Sequence, residues 1–286
     1  MEISELKIFL AVARQGSISR AAEELNYVQS NVTTRIKQLE ERLGRPLFHR
    51  KSKGVCLTAS GLILCDYAQR IIQLTGEAHD ALSENAVPQG PLAISSMETT
   101  AAVRLPSLLA DYHRRYPQVA LNLVSAPSAD SLKKLLDYQV DGAFIAGEVD
   151  PQAVESCEVF EEELVLVAPL DIDPFTMESQ KILVFRSGCS YRARLENWLR
   201  QNGRLGYHSV ELGSIEGILA CVAAGMGISL LPRSVVERPH LMPNCALHQL
   251  PQPVSMMTTR FVWRRHEKPS KALQVFRELL PGLQEG

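Results

Sequence analysis

The chain has 286 residues, 45% of them hydrophobic, which is too long for one minimal domain and apolar enough to fill more than one core, so two or three units are expected. The formal charge is −2, yet residues 1–58 hold ten Lys/Arg against six Asp/Glu, a +4 head on a −6 body, as in a nucleic-acid binder whose remainder does something else. Six cysteines (Cys56, Cys65, Cys157, Cys189, Cys221, Cys245) form no C-x-x-C pair, which excludes a zinc knuckle and a thioredoxin-like motif; no signal-peptide pattern or long apolar run appears, so a soluble, cytoplasmic protein without membrane attachment is expected.

Leu6, Phe9, Leu10, Val12 and Ala13 form an apolar stripe at helical spacing that Gly16 ends. Ser17 or Ser19 can cap a second helix through Leu25, in which Ala21 and Ala22 admit a close crossing and Asn26 tolerates the left-handed closing turn. A third helix, about Gln29 to Leu43, stacks Val32, Ile36, Leu39 and Leu43 on one face. Opposite them lie Ser30, Thr34, Lys37 and Glu41, with Thr33 beside, Arg35 toward the side and Gln29 at the exposed amino end. An isolated surface helix would look the same, but the order of parts favours a recognition helix, whose short polar groups reach base edges while its amino end favours phosphate. After Gly44-Arg45-Pro46-Leu47-Phe48, the basic run to Gly54 and the extended Val55–Thr58 predict a hairpin wing, with Arg50, Lys51 and Lys53 along the phosphate backbone.

Phe9, Val12-Ala13, Gly16-Ser17, Ala21-Ala22, Leu25, Val28-Gln29-Ser30, Leu39-Glu40, Leu43-Gly44, Leu47-Phe48-x-Arg50 and Leu57-Thr58-x-x-Gly61 together resemble the signature of LysR-type transcriptional regulators. The resemblance implies that Gln29, Ser30, Thr33, Thr34 and Arg50 contribute to contact with double-stranded promoter DNA. The chain departs from the pattern at Thr33-Thr34, where many relatives carry Ser-Arg. The resemblance also implies a winged helix-turn-helix at 1–58, a linker helix and hinge at 59–88, and a two-lobed, periplasmic-binding-protein-like α/β effector domain at 89–286. Lobe I would take about 89–160 and 266–286, and lobe II about 161–265. A homodimer or homotetramer that touches RNA polymerase is implied as well.

From the residues themselves, Thr58 can cap a helix to about Ser83, in which Leu64, Ala68, Ile71, Thr75, Ala78 and Leu82 recur at gaps of four and three. Nothing nearby in sequence would cover that heptad seam, so it is expected to pair two copies of the helix. Asn85 to Pro91, with two prolines and a glycine, reads as a hinge.

Beyond it, strands Leu92–Ser95, Val119–Val124 and Gly142–Ala146 alternate with helices 101–116 and 129–138. A second set follows in Leu164–Val167, helix 191–201, helix 215–224 and the runs Ile182–Phe185, Val210–Leu212 and Ile228–Leu231. The alternation predicts two α/β lobes with mainly parallel strands, and the family resemblance returns the chain to the first through a last helix near Ser270–Leu280.

Ligands of such folds sit beyond strand carboxyl ends against helix amino ends. Ser96, Glu98, Thr99 and Thr100, then Ser128, then Ser187, Gly188 and Cys189, and finally Ser214 occupy such junctions. Any one Ser or Thr there reads more simply as an N-cap; several on facing lobes describe an effector pocket. Helix amino ends suit a carboxylate whereas Glu98 repels one, so a carboxylate or an amino acid is expected, with no cofactor or metal.

Ser131-Leu-Lys-Lys134 lacks the partners of a catalytic S-x-x-K serine, Gly225-Met-Gly227 reads as a helix end, and Glu161-Glu162-Glu163 as a solvated strand end. The expected function is ligand-responsive regulation without catalysis. The competing class is a small-molecule binder or enzyme of the same two-lobed fold, with the first sixty residues serving only in oligomerisation. Cys189, near a helix start, is read as a buried inert thiol in preference to a redox sensor.

Overall fold

The computed structural model describes residues 1–51, 54–82, 87–175, 181–238, 244–265 and 268–281. Lys53 and hinge residues 83–86 lie outside them, as do the side chains of Lys51 and Leu82. The chain divides into two compact units, Met1–Ala86 with Asp137–Gln139, and the remainder.

In the first unit, α1 (Ile3–Gln15), α2 (Ile18–Glu24) and α3 (Gln29–Leu43) precede a hairpin of β1 (Phe48–Lys51) and β2 (Gly54–Leu57), and then α4 (Ala59–Leu82). Gly16 at φ 58° closes α1, Ser17 caps α2 through the Arg20 N–H at 3.4 Å, and Asn26 turns at φ 55°. Phe9, Val12, Val32 and Leu39 are completely buried between the helices, and the rings of Phe9 and Phe48 meet at 5.3 Å. The hairpin is strapped to α1 and α2 because Val55 N–H donates to Gly16 O at 2.9 Å. Gly54 is required there: at φ 129°, any Cβ would stand 2.4 Å from that same carbonyl oxygen.

The second unit opens with β3 (Gly90–Ser96), α5 (Glu98–Val103), α6 (Leu105–Arg115), β4 (Val119–Ser125), α7 (Ser128–Leu136) and β5 (Gly142–Ala146). The single helix expected over 101–116 is two, because Pro106 supplies no N–H to an unbroken helix and sits instead in the first turn of α6. The long β6 (Val154–Pro169) follows, then β7 (Lys181–Val184), α8 (Ser190–Gln201), β8 (His208–Glu211), α9 (Ile215–Ala223), β9 (Ser229–Pro232), α10 (Arg233–Val236), β10 (Cys245–Gln249), β11 (Met256–Arg264) and α11 (Lys271–Glu278).

Strands β3/β4, β3/β5 and β7/β8 pair in parallel, as alternation with helices requires. Every pair made by β6 or β11 is antiparallel. Strand β6 belongs to both lobes: through Glu163 it pairs with β11, and from Leu164 with β9. In that second half Leu164 and Leu166 pack toward Leu195 and Trp198 of α8, while Val165 and Val167 pack toward Ile218 and Val222 of α9, so a strand covered on both faces reads as a continuous apolar run. The first lobe is centred on Phe144, Phe261, Phe276 and Tyr112, whose hydroxyl donates to Ala272 O at 2.9 Å.

The fold departs from the sequence expectation at two further places. The chain re-enters the first lobe before residue 266, since β11 already pairs Thr259–Trp263 with Gly142–Ala146 of β5. Glu161-Glu162-Glu163 is not solvated throughout: Glu162 is buried, accepts from Arg104 Nε and Nη2 at 2.8 and 3.2 Å, and accepts from the Ser234 hydroxyl at 3.0 Å. Alternation along the strand turns Glu162 inward, and its partners stand 58 and 72 residues away in sequence.

Candidate nucleic-acid interface and effector cavity

Helix α3 is held from behind. Val32, Ile36 and Leu39 are at most 2% exposed, whereas Leu43, expected in the same stripe, is 42% exposed where the helix leaves the core. Arg42 donates to both oxygens of the buried Glu5 at 3.0 and 2.8 Å. Glu5 also accepts from the Glu2 backbone N–H, and this bond first, with Arg42 second, holds its carboxyl below the usual carboxylate range. Glu40 accepts from the N–H groups of Leu47 and Phe48 and so joins α3 to the wing.

In front, Gln29, Ser30, Thr34 and Lys37 are exposed, and Thr33 and Arg35 are half-buried. Residue Val28 precedes the helix without capping it, so no side chain covers the first-turn N–H groups there. Hydroxyls of Thr33 and Thr34 donate to Gln29 O and Ser30 O, one turn back, leaving their lone pairs outward. The Arg35 Nε is held by Asn31, and Lys37 pairs with Glu41 at 3.6 Å. Sequence reasoning missed Asn31, Gln38 and Val28, the last 71% exposed beside the helix start; their exposure was legible in the period of the helix, but Val28 carries no polar signal. Arg50 is exposed on the hairpin.

The second unit contains a cavity of about 470 Å³ between its lobes, lined among others by Glu98, Thr99, Ser128, Arg186, Cys189 and Tyr191. A neighbouring one of about 300 Å³ is lined by Ser187, Gly188, Arg192 and again Cys189. Of the residues chosen from sequence, Ser96 and Thr100 are buried and line neither, and Ser214 is spent capping α9 through the Gly217 N–H at 3.1 Å. Thr99 and Tyr191 hydroxyls meet at 3.1 Å, the Ser128 hydroxyl accepts from Ala146 N–H at 3.1 Å, and Ser190 donates to Ala146 O at 2.9 Å. Glu98 reaches from one lobe to the amino end of α9 in the other and accepts from Ile215 N–H at 3.2 Å. Burial, followed by the nearby Glu216 charge, raises its carboxyl against that hydrogen bond. Burial likewise raises the Cys189 thiol in spite of backbone N–H groups of Arg192 and Tyr191 aimed at it, which favours the protonated form. Tyr191 and Arg186 were missed in the sequence: Tyr191 sits inside the first turn of α8, and Arg186 lies in the loop between β7 and α8.

Residues 3–62 match the family model of bacterial regulatory helix-turn-helix proteins, lysR family, and residues 85–283 match the LysR substrate binding domain. The chain belongs to the LysR family of transcriptional regulators. The HTH-type transcriptional regulators YusT and GltR of Bacillus subtilis (strain 168) are 47% and 44% identical to it over 277 and 280 residues, covering 96% of this chain and 94% and 95% of theirs. Full-length OxyR from Pseudomonas aeruginosa shares the fold at TM-score 0.74 and 24% identity, over 99% of this chain and 95% of its own. CbnR complexed with its target DNA shares it at TM-score 0.69 and 23% identity, over 98% of this chain and 99% of its own. This LysR regulator is a DNA-binding transcription factor with a two-lobed effector domain through which a small molecule modulates it. No described helix is long and apolar enough to cross a membrane.

In this LysR regulator the seam expected along α4 is buried in its first half and leaves the core in its second. Ala68 is wholly buried, and Leu64 and Ile71 pack with it on the core formed by α1 and α3. The cover thought absent is helix α1, more than fifty residues earlier. Thr75 is half-buried, donating to Ile72 O at 2.7 Å, and Ala78 is exposed. A different row, Ile63, Tyr67 and Leu74, stands 61%, 57% and 53% exposed at spacings of four and seven.

Proposed function

We propose that α3 enters the major groove of promoter DNA, with Gln29, Ser30, Thr33 and Thr34 against base edges and Arg35, Lys37, Arg50, Lys51 and Lys53 along the phosphates. The uncovered polar front of α3, backed by Val32, Ile36 and Leu39, carries this reading. Val28 adds an apolar surface suited to a thymine methyl. A small carboxylate or amino acid binds the cavity between the lobes, favours one closure over the other, and so changes how the oligomer holds its DNA. Paired α4 helices join two heads through Ile63, Tyr67 and Leu74, and effector-domain contacts complete a homotetramer that meets RNA polymerase in the cytoplasm. A gel shift on the promoter of the protein's own gene over a salt series tests the central claim. Affinity is expected to fall steeply with salt, because phosphate contacts release counterions; binding that ignores salt, or none at all, overturns it.

A further inference from the structure

Glu98 differs from the other charged residues around the cavity. Glu211 is held by Arg192 at 2.5 Å, and Arg186 stands 3.6 Å from Asp130. Glu98 is half-buried, and among the described residues no cation pairs with it; its hydrogen bond comes from the Ile215 backbone through one oxygen. The α9 amino end is therefore already occupied by a carboxylate, with Ser214 holding the next turn, which leaves an anionic ligand no partner there and a like charge beside it. The cavity's cationic side chain is Arg186, 62% exposed and loosely paired. A half-buried carboxylate without a counter-ion has lost part of its hydration, and a ligand that supplies a cation offsets that loss on binding.

We infer that the effector carries a protonated amine seated against the Glu98 carboxylate and is of amino-acid type, its own carboxylate facing Arg186. This rests on the reading of the cavity as the effector site. The cavity's roughly 470 Å³ accommodates a molecule of that size, and the hydroxyls of Ser128, Thr99 and Tyr191 supply neutral hydrogen-bonding groups to its side chain.

Calorimetric titration of the full-length protein decides the matter, using the twenty standard L-amino acids, each beside its 2-hydroxy acid and its decarboxylated amine. At least one amino acid is expected to bind, its hydroxy acid at least about tenfold more weakly, as loss of a charge-assisted contact requires. Glu98→Gln should cost the amino acid about tenfold or more and erase its advantage over the hydroxy acid, while Glu98→Asp keeps that advantage. Hydroxy acids binding as well as amino acids, or a preference that survives Glu98→Gln, overturns the inference and leaves the effector site standing. Silence from all three series overturns the amino-acid class. A ligand that binds Ser125→Trp, in which the mouth of the cavity is filled, as tightly as the parent overturns the site itself.

Discussion

The two binding surfaces of this LysR regulator are built in opposite ways. The polar front proposed to meet DNA comes from one helix and one hairpin close in sequence, and its side chains point away from a core that other residues of the same helix complete. The cavity proposed for the effector is assembled from helix starts and strand ends spread over more than a hundred residues, and its polar groups largely bind one another across the lobes. Residues at the front are thus nearly free of structural duty, whereas residues in the cavity serve fold and ligand together. Substitutions at the front should change function with little effect on stability; those in the cavity should change both.

The largest expected effect tests the split of α4. Ala68→Glu buries an unpaired charge in the head's core and should cost about 3–5 kcal/mol, abolishing the head's unfolding transition. Leu74→Glu, on the exposed row, should leave that transition within about 0.5 kcal/mol of the parent yet shift the species to smaller size in light scattering. If Leu74→Glu remains fully oligomeric, the exposed row is not the pairing face.

At the front, Gln29→Ala should lose about 1–3 kcal/mol on cognate DNA and little on random sequence, while Arg50→Ala should weaken both alike and reduce the salt slope by about one. Equal losses from both variants on both DNAs would remove the division between base and phosphate contacts. Neither should alter the melting temperature appreciably.

A smaller effect comes from behind α3. Glu5→Ala removes the acceptor of the Glu2 N–H at the start of α1 and the bond to Arg42, and should cost about 1–2 kcal/mol in urea unfolding at pH 7. Because the folded carboxyl is held below its ordinary value, that stability is fully present above the unfolded pKa and is lost as pH falls through the folded one. The difference between parent and variant should therefore shrink in acid; a gap that widens there contradicts the assigned cause.

The smallest effect has the opposite sign. Burial raises the Glu98 carboxyl, so its ionisation weakens the ligand-free fold above the folded pKa, and this penalty fades as pH falls through it. Glu98→Gln, which retains an acceptor for Ile215 N–H, should melt slightly higher than the parent at pH 8 and converge with it in acid. A parent that melts higher at pH 8 would show that Glu98 is compensated already, and would soften the contrast between the two surfaces.

Helix α3 and its outward set were legible because the evidence for them is local. A stripe at Val32, Ile36 and Leu39 fixes which side is inward, and a rigid helix then fixes where Gln29, Ser30 and Thr34 must point. The cavity was legible only in outline. Ser96, Thr99, Thr100 and Ser214 look alike as polar residues at junctions, yet one lines the cavity, two are buried outside it and one is an N-cap. Nothing within a few residues separates these fates, because the partner that decides each belongs to another element.

The sequence by itself determined the helix-turn-helix, the α/β alternation and the outward set of α3, since hydrophobic period, capping residues and glycine turns act over a few bonds. Tertiary structure alone decided that α1 covers Ala68, that β11 carries the chain back between β5 and β6, and that Glu98 fills the amino end of α9. Those outcomes depend on which distant surfaces meet, and the free energy of such meetings lies in desolvation and pairing between groups that local spacing does not bring together.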